Sequence, residues 1–114
     1  MAYGSIKRVG PLAMILTTPT NIYQGGNGSA LIYDKIAQIH IVNKTSSPAT
    51  FTMYLGATGA SAAGTELFVG VNIPANGYFD WFTPTKLVST EFLVGFASVT
   101  LALTITIMTE QFVV

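Results

Sequence analysis

Residues 36–43 read IAQIHIVN and residues 49–55 read ATFTMYL, with KTSSP between them at 44–48. In the first run Ala37, Ile39 and Ile41 share one face, and Gln38 and His40 point the other way. In the second, Phe51, Met53 and Leu55 alternate with Thr50, Thr52 and Tyr54. A repeat of two belongs to a strand with one buried face, because successive side chains leave a pleated backbone on opposite sides. A helix would return its apolar residues every three to four positions. The Ser and Pro residues between the runs carry turn chemistry, so this stretch reads as two strands and a polar connection.

The same pattern extends in both directions. Residues 66–73, 78–82, 91–97 and 99–108 are further strand candidates, and 13–17 and 21–24 are shorter ones. β-Branched and aromatic residues fill these runs, as a half-buried pleated surface prefers. Between them lie GGNGS at 25–29, the small-residue loop GATGASAAG at 56–64, and PANG at 74–77, whose Asn76-Gly77 suits a tight hairpin turn. The expectation is an all-β chain of six to eight strands folded as an antiparallel β-sandwich, with jelly-roll and Ig-like orders both open. Residues 1–19 are expected to form an extended N-terminal arm and residues 20–114 the sandwich, so that removing residues 1–12 would leave the domain folded. Two segments mimic membrane or export signals. Lys7-Arg8 precedes a short apolar run, but Pro11 interrupts it. Residues 92–109 lack charge over about the length of a membrane span, yet Leu101, Leu103, Ile105 and Ile107 alternate with Ala102, Thr104, Thr106 and Met108, which is a strand pattern.

Charged residues make up 9% of the 114 and apolar residues 50%, and five acids balance five bases. Ordinary soluble domains are roughly a quarter charged. A neutral, ion-poor surface protects poorly against association, which points to a surface covered by partners in an assembly. Lys7, Arg8, Lys35, Lys44 and Lys86 form no basic patch of the kind phosphate backbones require, so nucleic acid is not an expected partner. Nor is a membrane. Without cysteine there is no disulfide framework, thiolate metal site or thiol chemistry.

A search for chemistry yields little. His40, the single histidine, sits on a strand between core positions and reads as a surface or interface residue rather than a general base. Asp34, Glu66, Asp80, Glu91 and Glu110 form no recognisable glycosidase pair, and GGNGS lacks the lysine and spacing of a phosphate-binding loop. No enzyme activity, metal or cofactor is expected. Asn27-Gly28-Ser29 and Asn43-Lys44-Thr45 match the glycosylation acceptor triplet but read as turn residues. Aromatic residues carry more information. Tyr78 and Phe82 share one side of their strand with Asp80, while Phe79 and Trp81 share the other. Rings on both sides suggest an interface anchor, since aromatic residues dominate binding hot spots. Tyr54, Tyr78, Trp81 and Phe82 are therefore the candidate interface, and a sugar-stacking platform of Trp81 and Tyr78 is the rival.

Several features together resemble small β-sandwich structural proteins of tailed bacteriophage virions, among them capsid decoration or cement proteins and tail components. They are a Thr-Pro-rich lead ending in Ile22-Tyr23 and a strand with Ile36, Ile39, Ile41 and Asn43. A Thr/Ser turn follows, then an alternating strand ending in Tyr54-Leu55, and an aliphatic strand running into Ile73, Ala75 and Asn76. The resemblance spans residues 17–77 and weakens after Asp80. It implies a virion component assembled in the host cytoplasm, most simply a head decoration subunit. Such a subunit would act as a small homo-oligomer, a trimer by preference, against the major capsid protein or other virion proteins. A tail or neck component is the close alternative.

Overall fold

The computed structural model describes residues 5–14, 20–56 and 65–113. Among them are nine strands: β1 (Ser5–Ala13), β2 (Thr20–Gln24), β3 (Ile32–Asn43), β4 (Ala49–Gly56), β5 (Glu66–Ile73), β6 (Tyr78–Trp81), β7 (Thr85–Leu87), β8 (Phe92–Ala97) and β9 (Leu103–Val113). Every pairing is antiparallel. One sheet runs β1-β9-β3-β6, with β7 also on β3, and the other runs β2-β8-β4-β5.

This order settles the choice between sandwiches. The pairs β1·β9, β2·β8, β3 with β6 and β7, and β4·β5 are nested like the two arms of one long hairpin. Rolling that hairpin adds the contacts β3·β9 and β4·β8, which join its turns into two sheets. That is the jelly-roll arrangement rather than the Ig-like one. The core lies between the sheets. Ile36, Ile39, Ile41, Leu103, Ile105 and Ile107 of the first sheet meet Phe51, Met53, Leu93 and Ala97 of the second. Each fully buried Ile, Leu, Met or Phe among them contributes on the order of 1.5–3 kcal/mol through removal from water. Gly95 admits this contact at one point. A Cβ there would lie 3.0 Å from Ile22 Cδ1 and 3.1 Å from Met53 Cγ.

Three expectations need correction. Nine strands replace six to eight, because β1 is broken by charges and Gly-Pro and β7 is only three residues long, so neither shows alternation. Part of the expected N-terminal arm belongs to the first sheet. Ser5–Ala13 is extended but docked, paired with β9 from Ser5↔Gln111 to Ala13↔Thr104. Ala37 does not join Ile39 and Ile41 inside; it is exposed and Ile36 is buried instead. The register slips between Ile36 and Gln38, and a bulge adds one residue and so reverses the parity before it. The last strand covers 103–113 rather than 99–108. Residues 98–102 turn, with Leu101 at φ 61°, and the long partner β3 carries pairing on to Val113. Of the candidate strand 13–17, residues 15–17 lie outside the described residues. No helix among the described residues is long and apolar enough to cross a membrane, and residues 92–109 are divided between β8 and β9.

Candidate interaction surface

Because Leu103, Ile105 and Ile107 point into the core, alternation turns Thr104, Thr106, Met108 and Glu110 outward on the first sheet. Past the bulge, β3 adds Gln38, His40 and Val42 to this face, and β6 adds Tyr78 and Asp80. Rows of residues cross the sheet in register. Arg8 pairs with Met108 and Met108 with Gln38; Thr106 pairs with His40 and His40 with Asp80. Ile6, Ala37, Gln38, Phe82, Met108 and Glu110 line a shallow depression of about 390 Å³. Ile6 is 79%, Tyr78 68% and Phe82 65% exposed, so this face leaves large apolar side chains in water.

Its polar centre is a small network. Asp80 Oδ1 meets His40 Nδ1 at 2.5 Å and accepts from Gln38 Nε2 at 3.0 Å. The hydrogen bond to His40, seconded by Gln38, holds the Asp80 carboxyl below its ordinary value against a smaller opposing effect of burial. Tyr78 lies 5.8 Å from the His40 ring. The row Thr106, His40, Asp80 combines a hydroxyl, an imidazole and a carboxylate, but on the open face of a sheet, where water is not excluded. The network ties β3 to β6 across the open face of the sheet. Among the described residues, no group of three His, Cys, Asp or Glu side chains converges as a metal site would require.

The four aromatic candidates are not brought together. Tyr78 and Phe82 stand outward on the first sheet, as alternation requires. Trp81 turns inward and packs edge-on against Phe68 at 5.3 Å, in a cluster with Phe51 and Phe79. Tyr54 stands on the outer face of the other sheet beside Phe96, 6.4 Å between ring centroids. The sugar platform of Trp81 and Tyr78 is thus divided between two faces of β6. Sequence reading passed over Ile6, Met108 and Asp80 as members of the outer face. The alternation of Met108 and Asp80 was legible, but their meeting with Ile6 depends on the β1·β9, β3·β9 and β3·β6 registers.

Two buried polar centres explain other singled-out residues. Asn43 is fully buried; its Nδ2 donates to Ser47 O at 2.8 Å and Ile73 O at 3.1 Å, and its Oδ1 accepts from Thr45 N at 3.0 Å. This amide ties the 44–48 turn to the end of β5 and is closed to modification, whereas Asn27 is exposed. Asp34 is also fully buried. Its Oδ2 accepts from Gly26 N at 2.8 Å, while Oδ1 has no hydrogen bond of its own among the described residues. Burial first, and the nearby Asp34 carboxylate second, push the Tyr23 hydroxyl far above its ordinary pKa, and Gln111 Nε2 donates to that hydroxyl at 3.0 Å.

No protein-family model and no curated protein matches the chain. Two solved structures of infectious bursal disease virus are similar over 98% of this chain. The Gx-strain structure has a TM-score of 0.37 at 11% identity, and the Gt-strain structure 0.36 at 9%. The chain spans about 30% of the length of each. Both come from an animal virus and neither from a tailed phage. At these scores the likeness carries no argument.

Proposed function

We propose that the protein is a structural subunit of a virus particle that works through protein–protein contacts and performs no catalysis. The observation that carries this is the outer face of the first sheet, where Ile6, Tyr78 and Phe82 stand exposed around a shallow apolar depression. Large exposed apolar faces mark association sites, and a neutral chain with 9% charged residues needs such faces covered. The sequence resemblance across residues 17–77 supports the finer form of the proposal: a decoration or cement subunit of a phage head, self-associating and bound to the major capsid protein. A tail or neck component is the alternative. A jelly roll serves many roles, so the fold only accommodates the reading.

The test is mass spectrometry and immunogold labelling of particles purified from the producing cells. Stoichiometric recovery with label on the shell supports the decoration role, and label on the tail moves the protein there. Absence from particles overturns the proposal. The sugar-binding rival needs a flat aromatic platform, and the inward Trp81 argues against one; unchanged Trp81 fluorescence across a glycan panel is the expected result.

A further inference from the structure

Each of the four sheet edges is interrupted. The β1 register breaks between Val9 and Leu12, beside Pro11. The opposite edge of that sheet is split into β6 and β7 by residues 82–84, which include Pro84. In the other sheet β2 slips between Asn21 and Tyr23, and β5 slips twice against β4, with Gly70 at φ 57°. Broken edges are poor templates for strand addition, which leaves the faces as routes of association. The two faces differ. On the second sheet Val94 is buried, with Tyr54 against Phe96, and Val69 stands exposed on the edge strand β5, while the first sheet leaves the larger Ile6, Tyr78 and Phe82 in water.

The first face is also complementary to itself. Along its centre β9 and β3 present cross-strand pairs: Phe112 with Tyr33, Glu110 with Lys35, Met108 with Gln38 and Thr106 with His40. A two-fold axis between these strands and parallel to them sets every such residue over the second copy's version of its own neighbour. Glu110 then meets Lys35 of the other copy, twice, and Phe112 meets Tyr33, twice. In the next strands out, Ile6 comes over Lys86, and Arg8, level with Gln38, comes over the residue after Trp81, Phe82, a cation above an exposed ring. The operation brings no two like charges of β3 and β9 together. Sheets stacked face to face run within about 30° of parallel, which preserves these meetings near the axis. Four strands about 4.8 Å apart, the longest the twelve residues of β3, make a face of roughly 40 by 19 Å, comparable with the roughly 800 Å² per partner that stable interfaces use.

We infer that two copies of this chain pair through the outer face of the first sheet, about a two-fold axis running between β3 and β9. The inference rests on the reading that the protein acts through protein contacts, and it replaces the expected trimer with an isologous pair. Sedimentation velocity from 1 to about 100 µM, a range that spans ordinary association constants, tests it. The expected result is a two-chain species. Glu110→Lys, which sets like charges together at two places, should weaken pairing about tenfold or more, and adding Lys35→Glu should restore it. These residues also pair within one chain, so Phe82→Ser, which changes no charge, should weaken pairing independently. Thermal unfolding at the lowest concentration shows that each variant is folded; Glu110→Gln replaces any that is not and should weaken pairing less. A wild-type monomer, a three-chain species, or a dimer indifferent to these substitutions overturns the inference. Particle analysis is read separately. A monomer recovered on particles overturns only the pairing, and a dimer absent from particles overturns only the virion role.

Discussion

Tyr23 shows how one side chain serves two neighbours. Its hydroxyl accepts from Gln111 and lies close to the buried Asp34 carboxylate, whose other oxygen holds the Gly26 amide. Removing the hydroxyl as Tyr23→Phe should cost about 1–2 kcal/mol at neutral pH, because the part-buried Gln111 amide loses its acceptor. Chemical denaturation reads this directly. The same substitution should change the alkaline limb. The folded-state pKa is raised, so above the ordinary value of 10.0 the unfolded chain ionises Tyr23 while the folded chain resists. Stability therefore falls as pH rises past that value, and Tyr23→Phe should flatten the fall. Asn43 is the second such residue. Asn43→Ala strips three or more hydrogen bonds from buried backbone and should cost about 2–3 kcal/mol; a loss under 0.5 kcal/mol, about the size of an ordinary surface change, would mean that water replaces the amide.

Among the elements, β1 and the 25–28 turn depart furthest from their sequence pattern. β1 alternates poorly, yet it completes the ladder on β9 and carries Val9 onto the core. Deleting residues 1–12 should therefore lower the melting temperature and promote aggregation through an uncovered β9 edge, rather than leave an intact domain. Light scattering at the transition reads the outcome, and an unchanged melting temperature would restore the expectation of a dispensable arm. In the turn, Gly26 has φ 59°, and a Cβ would lie 2.2 Å from Ile32 O. Gly26→Ala should therefore cost more than the roughly 1 kcal/mol of left-handed strain alone, with the loss of the Asp34 contact showing as faster amide exchange in 25–34.

For the whole molecule, nested pairing sets the folding problem. The β1·β9 ladder joins Ser5 to Gln111, so this pairing closes a loop of nearly the whole chain at an entropic cost. Folds dominated by such distant pairings refold on millisecond to second timescales, and stopped-flow tryptophan fluorescence should show Trp81 entering its cluster with Phe68 on about that scale. A microsecond phase carrying the full amplitude would contradict it. Strand identity and the inward or outward sense of most side chains were legible in the sequence, because period two is local and each strand declares its own buried face. Ile39, Ile41, Phe51 and Met53 lie inside as their alternation requires. Ala37 went astray because a bulge is a property of two strands in register. Trp81 was placed with Phe79 on one side of β6, but which side faces the core depends on the sheet it joins. The jelly-roll order, the His40–Asp80 contact and the self-complementary β3·β9 face belong to tertiary structure alone. Each is a distance between residues far apart in the chain, set by how the long hairpin rolls, and a residue's neighbours in sequence hold no record of that.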